Sequence, residues 1–361
     1  MTADALKYCL YVREDLASLE HSFFDTPELY GMRSDMYMYR ELKHFLRSKN
    51  IDLETQRVHS PQESDVIICL NETDRFTDYI RTSRNRLLVL ILSEPPVYNK
   101  KDWDEKRHAA FDLVFTYDQD LVQKNRDKYI QFCYPIELDM ERPKGILSEE
   151  GFLRKKHSCM IAGAFAITYN RAYPQSLLYE RYKVLTWYND YAPEQLDYYG
   201  RTEPEQKFRY FRGASLVNRI NPELTHNIAR YLYRHRLSGI YKGSLPGLSK
   251  NKALSDYKFN FCFENSSLKG YITEKIFDCF FSGTVPIYYG APDIGHYIPE
   301  DCYLSFTQFE SISALQKYLA EMDYDTYLQY LVKAADFLSS PAVEVFSTEK
   351  FIEKLYSAIR L

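Results

Sequence analysis

The chain has 361 residues, 45% of them hydrophobic and 27% charged, which is typical of a globular protein long enough for two domains. A formal net charge of −4 argues against a nucleic-acid partner, so any anion site has to be local. The sequence contains neither a run of about 20 apolar residues nor the basic and apolar regions of a signal peptide, and its seven cysteines show no zinc or disulfide spacing. We therefore expect a cytoplasmic protein, unless a leader has been removed.

The first part of the chain alternates between predicted strands and helices. Continuously apolar strands that alternate with helices indicate a parallel sheet covered on both faces. The predicted strands are 6–13, 64–70, 86–96, 112–118 and 128–138; the predicted helices are 34–50, 76–85 and 104–111; the segment IDLETQ (51–56) follows the first helix.

A polar segment with Pro and Gly, ERPKGILSEEG (141–151), is the predicted linker to a second α/β pattern. We expect one domain over 1–145, a second over 146–340, and a C-terminal helix over 341–361 that packs back on the body. Two doubly wound domains in series predict a cleft between them, with ligands outside the carboxyl ends of the strands. The second pattern has predicted strands at 157–164, 196–200, 258–264 and 285–290 and predicted helices at 176–191, 311–338 and 347–361.

The most informative segment is the start of the helix predicted after the strand KFNFCFE. Thr273 is the expected N-cap, Glu274 and Lys275 lie in the first turn, and Gly283 ends the helix. Unpaired N–H groups, the positive end of the helix dipole and the lysine together favour a phosphate or diphosphate. A carboxylate suits a sugar hydroxyl instead. Taken alone, the same pattern is typical of an ordinary capped helix.

The segments YKFNFCFENS and GYITEKIFDCFFSGTVPIYYG, within 257–290, resemble the α1,3/4-fucosyltransferase family, glycosyltransferase family 10. The resemblance implies the GT-B fold, with two Rossmann-like domains, the N-terminal one for the acceptor and the C-terminal one for GDP-fucose. It implies an inverting transfer of fucose to a GlcNAc or glucose hydroxyl of a β-galactoside-type glycan, of the Lewis or lipopolysaccharide kind. Family members in bacteria act on lipid-linked glycans, which leaves peripheral contact with the inner membrane open.

The resemblance also assigns donor contacts to residues of this segment. It implies that Tyr271 and Lys275 contact the diphosphate, that Glu274 contacts a donor hydroxyl, and that Glu264 and Asn265 line the donor pocket.

The resemblance also implies a phosphate-binding arginine at the start of the helix that precedes the strand end Tyr199-Gly200. Arg181 lies at the matching distance and is favoured over Arg171. Lys252 is a further basic candidate. A solvated helix charge is the alternative for Arg181.

The expected catalytic base is Glu94. It directly follows the most apolar predicted strand, two prolines stiffen the chain after it, and family members carry a general-base glutamate at a similar strand end. Burial against apolar neighbours is expected to raise its pKa. A surface carboxylate in a loop is the alternative.

Two D-x-D patterns, 118–120 and 323–325, occur about as often as chance allows, so we expect no metal and no cofactor. Lys275, Arg181 and the helix N-terminus would stabilise the departing GDP instead. Two glycosylation sequons begin at Asn71 and Asn265, and a glycan on Asn265 would block the donor pocket. The same fold with another nucleotide sugar, and a non-catalytic sugar-binding protein, remain alternatives.

Overall fold

The computed structural model describes residues 5–27, 33–71, 86–138, 148–167, 169–201, 221–245 and 250–360. Twelve strands and twelve α-helices lie within these ranges. The strands are β1 (Leu6–Tyr11), β2 (Ile51–Thr55), β3 (Val66–Leu70), β4 (Leu87–Leu92), β5 (Leu113–Thr116), β6 (Tyr129–Gln131), β7 (Lys156–Ala162), β8 (Leu196–Gly200), β9 (Tyr241–Gly243), β10 (Tyr257–Phe263), β11 (Val285–Tyr289) and β12 (Leu304–Ser305). The helices are α1 (Glu14–Ala17), α2 (Arg33–Arg47), α3 (Glu105–His108), α4 (Gln119–Lys124), α5 (Glu149–Arg154), α6 (Leu178–Tyr191), α7 (Pro222–Arg236), α8 (Lys250–Ser255), α9 (Glu274–Ser282), α10 (Ile312–Glu321), α11 (Tyr324–Leu338) and α12 (Thr348–Ile359).

The chain divides into two compact units, and the first is discontinuous in sequence. Unit 1 comprises Met1–Asp139, Lys269–Glu274 and Glu344–Leu361, and unit 2 comprises Met140–Leu268 and Lys275–Val343. The described residues of each unit form a six-stranded sheet.

The sheet of unit 1 has the order β2-β1-β3-β4-β5-β6, and every neighbouring pair is parallel. Its central strands are apolar throughout, as strands covered on both faces have to be. Helix α12 supplies Phe351, Ile352, Leu355 and Ile359 to the core of this unit. The last helix of the chain is therefore part of the unit that begins at the N-terminus.

The sheet of unit 2 has the order β12-β11-β10-β7-β8-β9, again parallel throughout. The first strand of this unit, β7, lies beside its fourth, β10, which is the strand order of the Rossmann fold. In such sheets, the point where the strand order reverses is where ligands bind. Here the reversal falls between the carboxyl ends of β7 and β10.

Most of the predicted elements are confirmed, with shorter ends. The segment IDLETQ forms β2, while the helix predicted over 104–111 keeps only its first turn as α3. The helix predicted over 76–85 lies outside the described residues, as does most of the predicted linker, whose last residues begin α5. No helix in the described part of the chain is long and apolar enough to cross a bilayer.

Candidate active site

Helix α9 begins at Glu274, so Thr273, itself buried, occupies the predicted N-cap position. The helix ends as predicted at Gly283, whose φ is +61°. The Gly283 N–H donates to the Phe280 carbonyl (3.3 Å) and the Thr284 N–H to the Cys279 carbonyl (3.0 Å), the two bonds of a Schellman motif. Because the helix is capped and buried from its second turn onward, its first turn is held in a fixed place.

Glu264 directly follows β10 and is completely buried. Its carboxylate lies 3.2 Å from the Lys275 ammonium, which is partly exposed. The end of β11 shapes this pair. A Cβ on Gly290 would come within 2.5 Å of the Glu264 Cγ and 2.2 Å of the Tyr288 hydroxyl oxygen, so only glycine fits there. A buried acid therefore fixes the lysine of the predicted diphosphate site.

Arg181 lies in the first turn of α6 and is also buried, with 2% of its surface exposed. Its guanidinium donates to the carbonyls of Ala164 (2.8 Å) and Phe263 (2.7 Å) and to the Asn265 side-chain oxygen (2.9 Å). The two carbonyls lie at the ends of β7 and β10, so the arginine bridges the strand reversal of unit 2. Arg171, the competing residue, is exposed.

The two remaining donor candidates of unit 2 differ in their surroundings. Asn265 is held by Arg181, and its carbonyl accepts from the Leu177 N–H (3.1 Å). Lys252 lies on α8 and is exposed. The structure thus brings Glu264, Asn265, Lys275 and Arg181 to one end of the sheet of unit 2. It gives Lys252 no comparable support.

Tyr271 belongs to unit 1 and is buried. Its ring packs against Tyr117 with centroids 4.9 Å apart, and Tyr117 packs in turn against Trp103 at 5.3 Å. Gly270 makes this close approach possible, because a Cβ there would lie 2.6 Å from the Tyr117 carbonyl oxygen and its φ is +72°.

Glu94 follows β4, as predicted, but its side chain is exposed, so the expected burial is wrong. Its main chain is held from both sides. The Asn71 side-chain oxygen accepts from the Glu94 N–H (3.2 Å), and the Trp103 indole N–H donates to the Glu94 carbonyl (2.9 Å). The sequence had no signal for either partner beyond the sequon at Asn71.

Asp35 and Tyr134, both in unit 1, were not among the residues predicted from the sequence. The Tyr134 hydroxyl donates to the Asp35 carboxylate (2.6 Å). Burial, then the negative charges of Asp35, Glu274 and Glu94, hold the pKa of Tyr134 well above its ordinary value. Glu274 and Glu94, the two predicted site carboxylates of unit 1, therefore both raise the pKa of Tyr134.

The two D-x-D patterns have structural roles. Asp118 caps α4 by accepting from two main-chain N–H groups, and Asp323 caps α11 by accepting from the Thr326 N–H. Within the described ranges, no group of three or more His, Cys, Asp or Glu side chains is placed to hold a metal ion.

The family model described as glycosyltransferase family 10 (fucosyltransferase) C-term matches residues 236–355. An alpha-(1,3)-fucosyltransferase of Helicobacter pylori is 41% identical over 71 residues, which are 20% of this chain and 15% of that protein. The mouse 4-galactosyl-N-acetylglucosaminide 3-alpha-L-fucosyltransferase 9 is 41% identical over 88 residues, 23% of this chain and 24% of the relative. The matches thus span about a quarter or less of each relative.

Solved structures resemble the whole chain at low identity. An alpha1,3-fucosyltransferase crystallised with GDP gives a TM-score of 0.50 at 14% identity, covering 100% of this chain and 92% of that one. HepE of Anabaena, in complex with UDP and glucose, gives 0.57 at 10% identity, covering 98% of both chains.

Two parallel doubly wound sheets, one in each unit, have the GT-B fold, and charged side chains lie at the strand ends of unit 2. Residues 236–355, about a third of the chain, match the family model of glycosyltransferase family 10. This span contains β10, the start of α9 and β11, which are the elements that carry Glu264 and Lys275.

Proposed function

We propose that the protein transfers fucose from GDP-fucose, with inversion, to a GlcNAc or glucose hydroxyl of a β-galactoside-type oligosaccharide, as an α1,3-fucosyltransferase. The observation that carries this proposal is the family match across the start of α9, where a buried glutamate fixes Lys275. The named activities of the relatives agree with it. A glycan of the Lewis or lipopolysaccharide kind is the proposed acceptor.

In the proposed reaction, the acceptor hydroxyl attacks C1 of fucose from the face opposite GDP. Glu94 takes the hydroxyl proton as the new C–O bond forms, and GDP leaves with the electron pair of the old one. The exposure of Glu94 suits this role, because a base has to reach an acceptor that arrives from solvent.

On the donor side, Lys275 and the first-turn N–H groups of α9 would stabilise the negative charge that grows on GDP. Glu264 contributes through Lys275, since it is fully buried. Arg181 orients Asn265 towards the donor, and direct contact of its guanidinium with phosphate stays a prediction. Tyr271, Glu274 and Lys252 are the remaining proposed donor contacts.

Calorimetry with GDP-fucose, GDP-mannose and UDP-galactose tests the choice of donor. We expect GDP-fucose to bind at least tenfold more tightly than UDP-galactose, about 1.4 kcal/mol. Equal affinities would favour the same fold with another nucleotide sugar. Mass spectrometry of products from lactose, N-acetyllactosamine and its type 1 isomer then identifies the acceptor.

The variant Glu94→Ala tests the base. It should lower kcat by about 10²–10⁴-fold while GDP binding stays unchanged. A turnover close to that of the parent would remove Glu94 from this role. Binding of donor without any transfer to any acceptor would instead favour a sugar-binding protein.

A further inference from the structure

We propose that Asn71 and Trp103 are positioning residues that hold the main chain of Glu94 in the orientation a general base needs. This inference rests on the proposed function, since it concerns the proposed base. The side chain and the main chain of Glu94 differ in how strongly they are held. The Glu94 side chain is exposed, yet both of its peptide groups are fixed by side chains from elsewhere in unit 1.

Asn71 makes three hydrogen bonds with the turn that carries the base. It directly follows β3, the parallel neighbour of β4. Its side-chain oxygen accepts from the N–H groups of Ser93 (2.9 Å) and Glu94 (3.2 Å), and its amide nitrogen donates to the Ser93 hydroxyl (2.6 Å). One carboxamide thus fixes two consecutive residues at the carboxyl end of the next strand.

The backbone of Asn71 is adapted to this task. Its φ is +51°, in the left-handed region that asparagine tolerates better than other side chains except glycine. Its own N–H donates to the Ile91 carbonyl (3.2 Å) and prolongs the ladder between the two strands. A glycan on this sequon would replace an amide hydrogen that the turn uses, so the structure assigns Asn71 an internal role.

Trp103 fixes the other peptide group of the base. Its indole N–H donates to the Glu94 carbonyl (2.9 Å). Trp103 ends a 3₁₀ turn, Lys100–Trp103. The Asn99 side chain caps this turn by accepting from the Lys101 N–H, and it also donates to the Asp102 carboxylate (2.6 Å). The indole N–H therefore comes from a turn that is held by its own hydrogen bonds.

Pro95 completes the restraint, because the residue before a proline is confined to extended conformations. The main chain of Glu94 is thus restrained on both sides. A surface carboxylate with no function gains nothing from such restraint, whereas displacing a catalytic group by about 1 Å can cost on the order of 10² in rate.

The same tryptophan connects the base to the proposed donor loop. Its ring packs on Tyr117, which packs on Tyr271, the proposed diphosphate contact, and all three residues belong to unit 1. A substitution at Trp103 should lower kcat through its direct contact with Glu94, and it should change donor binding only weakly, because it reaches Tyr271 only through Tyr117.

The test uses the full chain and two variants that each remove one restraint. Trp103→Phe keeps an aromatic ring against Tyr117 but deletes the N–H donor, and Asn71→Gly keeps the left-handed backbone but deletes the carboxamide. We expect kcat to fall about 10-fold for Trp103→Phe and about 10²-fold for Asn71→Gly, with the Kd for GDP within twofold of the parent.

Two matched controls separate positioning from general damage. Trp187→Phe makes the same change at the other tryptophan, whose ring contacts Tyr188 and Tyr191 in unit 2. Asn50→Gly makes the same change at another asparagine with positive φ, +60°. Both should leave kcat within about twofold of the parent.

A second readout depends on charge. Asn71→Asp preserves the acceptors for the two N–H groups and adds a negative charge beside Glu94, which raises the pKa of the base. The rate should recover at high pH, and the acid limb of the pH–rate profile should move to higher pH.

The decisive measurement is a double-mutant cycle. In a Glu94→Ala background, adding Trp103→Phe should leave the residual rate unchanged, because the tryptophan acts only through the glutamate. If Trp103→Phe lowers the rate of the Glu94→Ala variant by the same factor as it lowers that of the parent, its effect is structural and the inference is overturned. If Glu94→Ala lowers kcat as expected but both positioning variants keep the parental kcat, this inference fails alone. If Glu94→Ala keeps the parental kcat, the proposed base itself fails.

Discussion

Glu264 is buried and pairs with Lys275, so in the proposed anion site it would act through the lysine without touching the anion. The Glu264 carboxylate lies 3.2 Å from the Lys275 ammonium, and Gly290, which has no side chain, leaves room for it. Removing one partner of such a pair leaves a buried charge uncompensated, and this costs more than the pair contributes.

The variant Lys275→Met should therefore have two effects, lower stability by on the order of 3 kcal/mol and loss of GDP binding. Adding Glu264→Gln should restore much of the stability, because the buried charge is gone, but none of the binding. Urea unfolding and calorimetry with GDP measure the two quantities separately.

The control for this pair is Lys317→Met, which breaks an exposed contact with Glu321 and should change stability by less than about 1 kcal/mol. Recovery of GDP binding in the double variant would contradict the role given to Lys275.

His157 on β7 makes stability depend on pH. Burial lowers its pKa to about 4, from an ordinary value of 6.5. Between these values the unfolded chain binds a proton that the folded chain does not, so stability is full above pH 6.5 and falls as the pH drops towards 4.

The variant His157→Gln should lose less stability between pH 7 and pH 5 than the parent, by on the order of 1 to 2 kcal/mol. Urea midpoints at the two pH values give the comparison. The matched control is His44→Gln at an exposed site, which should follow the parent. Identical slopes for all three proteins would show that His157 is accessible to protons in the folded state.

At the scale of elements, the ends of strands carry the site and their neighbours shape it. Gly290 after β11 faces the Glu264 side chain and the Tyr288 hydroxyl at distances no Cβ could accept. We expect Gly290→Ala to displace Glu264, to weaken GDP binding about tenfold, and to destabilise the fold by about 1 to 3 kcal/mol.

Gly163→Ala is the control for the stability part of this measurement, because a Cβ there would meet no atom within 4 Å. Unfolding of the two variants should differ clearly. A parental stability for Gly290→Ala would show that this end of the strand is not tightly packed.

The sequence predicted the elements better than the contacts between them. Apolar runs and helix periodicity located most of the strands, though not β2, β9 or β12, together with α6 and α9, and the position of Glu94 after β4 followed from the pattern alone. The burial of Arg181 did not, because it depends on carbonyls from Ala164 and Phe263 that are distant in sequence. The sequence also did not predict that Asn71 and Trp103 hold the main chain of Glu94, because these contacts too depend on the tertiary fold.

The exposure of Glu94 also escaped sequence reasoning. An apolar strand before a residue predicts burial of that residue only if the chain continues straight, and here the Asn71 and Trp103 contacts hold a turn that carries the side chain outward. Strand identity is a local property, whereas the direction of the residue after it is set by its neighbours.

For the molecule as a whole, we propose that transfer needs no divalent cation. Lys275 and the helix N-terminus would supply positive charge at the donor, and the first aspartate of each D-x-D pattern caps a helix. We expect turnover of GDP-fucose to stay within about twofold of its starting value after treatment with EDTA. A loss restored by Mg²⁺ or Mn²⁺ but not by Na⁺ would contradict this expectation.

The discontinuity of unit 1 has a consequence for how the polypeptide matures. Phe351, Ile352 and Leu355 fill the core of the half that leaves the ribosome first, and they are synthesised only after residue 343. Until then, the nascent N-terminal half carries an uncovered apolar surface of the kind that recruits chaperones. We therefore expect that removal of residues 344–361 destabilises unit 1 more than unit 2, although most of unit 1 lies at the other end of the sequence.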